Sequence, residues 1–259
     1  MFEVIPLPAF DDNYIWLLQR QGTAACAVVD PGDEEPVFAY CQEHGLQLSA
    51  ILITHKHGDH TGGVAELKRR WPRAAVYGPA REPVAMVERG LAEGDKVVLE
   101  GLRLELQTLD VPGHTEGHIA YHGEDLLFCG DTLFAGGCGR VFSGSFEQLS
   151  DSLRRIAALP PTTQVYCAHE YTLANLGFAK WVEPEHPALR KRIQQDRDKR
   201  ARGLPTVPSS LALELATNPF LRTDEPAVIK AAEKWAGKQL CGHREVFKAL
   251  RQWKDRDYD

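Results

Sequence analysis

The stretch that most restricts what this chain can be is Thr54-His55-Lys56-His57-Gly58-Asp59-His60. Three imidazoles and a carboxylate fall within six residues, after a β-rich run at 49–54 and before a helical pattern at 61–70. On an extended segment side chains alternate, so His55 and His57 face one way, while Asp59 and His60 turn toward a neighbouring position. Imidazole and carboxylate together suit Zn²⁺ and similar transition ions. A fold carrying this loop has to hold it on a rigid strand end.

Four groups on one loop do not complete the shells of two ions, so further ligands are expected at other strand ends. His114 lies in Val111-Pro112-Gly113-His114-Thr115, where Pro and Gly force a turn after a strand-like run at 102–109. Asp131 lies in Cys129-Gly130-Asp131-Thr132, just past a run at 125–129, and His169 follows a run at 164–167. The seven groups divide into His55, His57 and His114 on one ion and Asp59, His60 and His169 on the other, with Asp131 shared. The two carboxylates, Asp59 and Asp131, are expected to be catalytic as well as ligating. Two ions ~3.5–4 Å apart can hold a hydroxide at neutral pH and polarise a carbonyl, which is hydrolytic chemistry. No serine elbow or Walker loop competes for the role.

His118 opens a strand-like run at 118–122 and is expected to be a hydrogen-bonded structural group. His44, His122, His186 and His243 show no partner pattern and read as surface groups. Asp30, in Val29-Asp30-Pro31, is either a turn former or a group that orients the metal loop.

The 259 residues suit a main domain plus an appendage. Strand-like runs at 24–30, 49–54, 96–99, 102–109, 118–122, 125–129 and 164–167 alternate with helical spacing at 34–44, 61–70 and 146–158. That is the pattern of a layered α/β protein. After about residue 170 strand signals nearly vanish, and helices are expected at 171–181, 187–202, 225–235 and 243–253. The expected domains are therefore 1–169 and a smaller helical one, 170–259. A net charge of −6 argues against non-specific nucleic-acid binding. The basic stretch 190–202 reads as a solvated helix face. No apolar run approaches the ~20 residues that span a bilayer, and the N-terminus lacks the pattern of a signal peptide. A cytoplasmic monomer without membrane contact is expected, its six scattered cysteines free and mostly buried.

H-x-H-x-D-H followed by separated His, Asp and His at strand ends resembles the metallo-β-lactamase superfamily, and within it the glyoxalase II (hydroxyacylglutathione hydrolase) family. The resemblance runs nearly end to end. It includes Asp11-Asp12-Asn13-Tyr14, Gly130-Asp131-Thr132-Leu133-Phe134, Gly137-Cys138-Gly139-Arg140, His169-Glu170-Tyr171-Thr172, Asn218-Pro219-Phe220-Leu221-Arg222 and Leu250-Arg251-Gln252-Trp253-Lys254-Asp255. All seven proposed ligands match the family's metal positions. The resemblance implies an αββα sandwich followed by a helical glutathione-binding domain. It further implies two divalent ions, Zn²⁺ first with Fe²⁺ or Mn²⁺ as alternatives. The implied reaction is hydrolysis of S-D-lactoylglutathione to D-lactate and glutathione, the second step of methylglyoxal detoxification.

Arg140, Tyr171, Arg251 and Lys254 match the family's glutathione-contacting positions, and guanidinium groups suit the tripeptide's carboxylates. Phe142 stands where some relatives carry a tyrosine that hydrogen-bonds glutathione. The segment 142–145 and the tail 255–258 also depart from the commoner wording, and Lys56 and Gly58 fill slots that relatives often give to bulkier groups. The competing readings are another hydrolase of the superfamily, such as a lactonase or a different thioesterase, and, in another class, an RNA-processing nuclease.

Overall fold

The computed structural model describes residues 2–258. By internal packing the chain divides into two compact units. One holds the chain up to Asp110 together with Thr115–Gly130; the other holds Val111–His114 and everything from Asp131 onward. This division differs from the change of texture near residue 170. The chain passes between units at 110/111, 114/115 and 130/131, so two of the crossings adjoin His114 and Asp131.

In the first unit, β1 (Phe2–Ala9) and β2 (Asn13–Arg20) form an antiparallel hairpin, and β2 pairs antiparallel with β3 (Ala25–Val29). Two crossovers then build a parallel region. Helix α1 (Glu35–His44) leads from β3 to β4 (Gln47–Leu52), and α2 (Gly58–Thr61) and α3 (Val64–Arg70) lead on to β5 (Ala75–Pro79). β6 (Arg89–Leu91) completes this sheet. Its core packs Ile15, Leu17, Val28 and Ile51 against Val37 and Cys41 of α1 and Val64 and Leu67 of α3. The apolar spacing of the two helices therefore faces the sheet. A second, antiparallel run joins β7 (Lys96–Leu99), β8 (Leu104–Asp110), β9 (Ile119–Gly123) and β10 (Leu126–Gly130) in that order.

The second unit begins with a two-residue hairpin, β11 (Leu133–Phe134) and β12 (Gly137–Cys138). Helix α4 (Phe146–Ala157) starts with a capping box, Ser145 and Gln148 bonding each other's backbone. β13 (Gln164–Cys167) pairs antiparallel with β14 (Ser209–Ser210). The remainder is helical: α5 (Thr172–Val182), α6 (Pro187–Ala201), α7 (Leu211–Thr217), α8 (Pro226–Ala236) and α9 (Gly242–Trp253). Phe178 of α5 packs on Phe220 and Trp253, and Phe220 on Phe247 of α9.

The solvated-face reading of 190–202 needs correction at one turn. Arg192 and Asp196 of α6 are buried, and Arg192 bonds Glu214 (2.5 Å) and Thr217 (2.7 Å). Five cysteines are buried and Cys241 is exposed. Among the described residues no helix is long and apolar enough to cross a membrane.

Candidate metal centre

The ligand loop of the first unit leaves the C-terminal end of β4, and its proton arrangement follows from Asp30. The Thr54 N–H donates to Asp30 Oδ1 (2.8 Å) and the Thr54 hydroxyl to Oδ2 (2.7 Å). With its one proton committed, Thr54 Oγ1 accepts from His55 Nδ1–H at 3.1 Å, which makes Nε2 the lone-pair nitrogen of His55. That Nε2 lies 3.0 Å from His57 Nδ1. His60 stands against two carboxylates, with Nδ1 3.1 Å from Asp30 Oδ2 and Nε2 3.3 Å from Asp59 Oδ2. Asp30 thus fixes two imidazoles, one directly and one through Thr54. Its φ of 52° shows that it is the turn former as well.

Two supports of this loop, Asn13 and Glu82, carried no assigned role in the sequence. Asn13, within the Asp-Asp-Asn-Tyr segment, donates its side-chain amide to Asp59 Oδ2 at 3.1 Å. Glu82 accepts from the Lys56 N–H (2.8 Å) and the Gly117 N–H (3.0 Å), tying the loop to the turn before β9. His118 is structural, as expected: its Nδ1–H donates to Ile119 O (3.0 Å), and its ring stacks on His55 with centroids 4.6 Å apart. Gly130 has φ +47°, and a Cβ there would lie 2.3 Å from Thr54 Oγ1, so only glycine fits.

The second unit gathers the other three candidates around Asp131. Its Oδ2 stands 3.5 Å from His114 Nε2 and its Oδ1 3.4 Å from His169 Nε2. Each carboxylate oxygen therefore faces a different imidazole. His114 Nδ1–H donates to Arg140 O (2.8 Å), which again directs Nε2 inward. His169 stacks on Tyr171, centroids 4.6 Å apart and nearly parallel, with Phe134 edge-on to both rings.

Ligand atoms bonded at about 2.0–2.1 Å to one tetrahedral ion stand about 3.3–3.4 Å apart. The donor separations in the two clusters, 3.0, 3.3, 3.4 and 3.5 Å, suit that spacing. The donors are imidazole nitrogens and carboxylate oxygens, four of the histidines and Asp131 being nine-tenths or more buried. The residues present fit divalent ions.

A cavity of about 390 Å³ within the second unit starts at His114 and Asp131. Phe134, Cys138, Phe142 and Tyr171 form its apolar walls, and Arg140, Arg251 and Lys254 supply three cations. Every substrate-contacting candidate thus lines one space. Arg251 is 1% exposed and bonds Asp255 Oδ1 (2.8 and 3.1 Å) and Cys138 O (3.0 Å). Arg140 Nε lies 3.6 Å from the same Asp255 oxygen. Phe142, 66% exposed, meets the edge of His114 at 5.1 Å. Burial pushes the Cys138 thiol up to about 11 against the pull of Arg251, so it is protonated at neutral pH and is no nucleophile.

Strands that end in imidazole and carboxylate clusters, among helices, define a member of the metallo-β-lactamase superfamily, whose family model matches residues 9–169. The model for the hydroxyacylglutathione hydrolase C-terminus matches residues 170–257. The chain is 57% identical over 255 residues to a hydroxyacylglutathione hydrolase of Alkalilimnicola ehrlichii, covering 98% of this chain and 99% of that one. It is 51% identical over 255 residues to the Nitrosomonas europaea protein of the same name, covering 98% and 96%. Among solved structures it resembles TTHA1623 in a di-iron-bound form, with TM-score 0.60 and 28% identity over 84% of this chain and 100% of that one. The chain belongs to the hydroxyacylglutathione hydrolase family, with an αββα sandwich and a helical C-terminal part.

Proposed function

We propose that this chain hydrolyses S-D-lactoylglutathione and related 2-hydroxyacylglutathione thioesters to the hydroxy acid and glutathione. The observation that carries this reading is the cavity of the second unit, which joins the ligand pair His114 and Asp131 to three cations in one space. Glutathione carries two carboxylates, and Arg140, Arg251 and Lys254 offer them charge-assisted hydrogen bonds. Tyr171 and Phe134 give the thioester an apolar wall. The family relationship over nearly the full length supports the same substrate class.

His55, His57 and His114 would hold one divalent ion and Asp59, His60 and His169 the other, with Asp131 shared. The two clusters are parts of one family domain, 9–169, and the chain crosses between the units directly beside His114 and Asp131. We take Zn²⁺ as the native pair, with Fe²⁺ and Mn²⁺ accepted by the same donors. When bound, such ions supply a water nucleophile at neutral pH and polarise the thioester carbonyl. The chain's own residues set the stage for this. The Arg140 carbonyl keeps the ring proton of His114 on Nδ1, Asp30 stands against the ring of His60, and Asn13 holds Asp59 in its orientation. The cations bind the tripeptide so that its acyl sulfur lies toward Asp131. In this reading residues 1–169 perform the hydrolysis, and Arg140 joins Tyr171, Arg251 and Lys254 of the stretch 170–259 in selecting the glutathione.

A side-by-side assay with lactoylglutathione, a lactone and a β-lactam, with metal analysis of the same sample, tests the proposal. Thioester hydrolysis should exceed the other two by a factor of about 10² or more, the scale on which matched binding groups discriminate. Equal or better turnover of the lactone would overturn the substrate assignment.

A further inference from the structure

The motif Asn218-Pro219-Phe220-Leu221-Arg222 lies outside the metal clusters and outside the cavity, yet Asn218 is fully buried. Its side-chain NH₂ lies within hydrogen-bond distance of Phe134 O (3.2 Å), Gly137 O (2.9 Å) and Glu214 Oε2 (3.1 Å), its two hydrogens shared among the three acceptors. Glu214, also fully buried, accepts the Gly136 N–H at 2.8 Å through the same oxygen, while its Oε1 takes Arg192 and Ser209. Asn175 donates to Ala135 O (3.2 Å), and Arg251 donates to Cys138 O. Four consecutive-region carbonyls and one N–H of the hairpin 134–138 are therefore held by side chains of the helical part. The turn needs such holding. Gly136 sits at φ +71°, and a two-residue loop between two-residue strands has almost no ladder of its own.

This hairpin is also a wall of the cavity. Phe134 and Cys138 face it, and the chain on either side carries Asp131 and Arg140. Arg192 supplies the charge that lets Glu214 stay buried as an acceptor, held in turn by Asp196. We propose that Asn218 and Glu214 are positioning residues that clamp the β11–β12 hairpin and so set the shape of the substrate cavity. Their effect reaches the reaction through Phe134 and Cys138; neither touches the substrate. The inference rests on the thioesterase reading, because the cavity is taken to hold the glutathione moiety.

The discriminating variant is Asn218→Ser. Asn218 Oδ1 also caps the turn at Phe220, accepting its N–H at 3.1 Å, and serine keeps a capping oxygen while it removes the amide donors. The protein is purified with its metals, and KM and kcat are measured for lactoylglutathione and for a truncated lactoyl thioester that lacks the γ-glutamyl and glycyl groups. Metal content and near-ultraviolet circular dichroism are recorded on the same samples. The expected result is a rise of about tenfold in KM for the glutathione thioester, the scale of two lost buried hydrogen bonds, with the truncated substrate unchanged within about twofold and the metal content kept. Glu214→Gln, which keeps the volume, should move the same KM in the same direction. An unchanged KM for lactoylglutathione overturns the clamp, and so does an equal loss on both substrates accompanied by loss of metal. If wild type fails to hydrolyse lactoylglutathione while turning over another substrate, it is the thioesterase reading that falls.

Discussion

The two ligand clusters are made by different means. His55, His57, Asp59 and His60 come from one strand end and share one organiser, Asp30, which acts on His60 directly and on His55 through Thr54. His114, Asp131 and His169 come from three separate segments and meet around a single carboxylate. The first cluster is a property of a loop, and the second is a property of packing. Losses in the first should therefore be graded, and losses at the centre of the second should be total.

Asp131→Ala should produce the largest effect. It removes both oxygens that face His114 and His169, leaving two imidazoles with no shared carboxylate. We expect kcat/KM for lactoylglutathione to fall by about 10³-fold or more, together with metal content, since bound divalent ions would supply both the nucleophile and the carbonyl polarisation. Retained activity with two ions per chain would show that the carboxylate is not shared.

Asp30→Asn probes the organiser of the local cluster and should cost less. Asparagine tolerates the positive φ at this position, so the turn is preserved, while the charge and one of the two acceptor oxygens are lost. Orienting partners of metal-bound histidines are worth about 10–100-fold in affinity. A chelator-competition titration should show a loss of that size, with the variant regaining activity at raised metal concentration. An unchanged affinity would reduce Asp30 to its turn-forming role.

The same contrast explains what could be read along the chain. The loop cluster was legible because its ligands are neighbours in sequence, and the strand-end candidates because each follows an apolar run and a turn. The hairpin of β1 and β2 was not legible. Pro6 and Pro8 interrupt β1, and β2 is buried on both faces from Asn13 to Leu18, so neither shows clean alternation. Helix α7 was missed because Leu211–Thr217 is only seven residues long and stands alone, whereas α3, of the same length, follows directly on α2 and extends its pattern. Asn13, Glu82, Glu214 and Asn218 escaped a functional reading for one reason. Each acts by bonding backbone or a ligand contributed by a distant segment, and no local pattern encodes that. Arg192 misled in the opposite direction, since a basic run gives no sign of which member turns inward.

The smallest effect is expected at Cys138, which separates being in the cavity wall from taking part in the chemistry. Burial raises this thiol to about 11, so at pH 8 only about one molecule in a thousand carries the thiolate. A thiol of that kind neither attacks an acyl carbon nor binds a metal readily, whereas Cys241 is exposed. Iodoacetamide at pH 8 should therefore label Cys241 first and leave activity intact, with Cys138 labelling only as the pH climbs toward 11. Cys138→Ala should change kcat by less than about threefold, because it removes one sulfur from the wall and leaves the backbone carbonyl that Arg251 holds. A fall in kcat approaching that of Asp131→Ala would mean that the thiol itself takes part, and the division between a metal end and a binding wall would have to be redrawn.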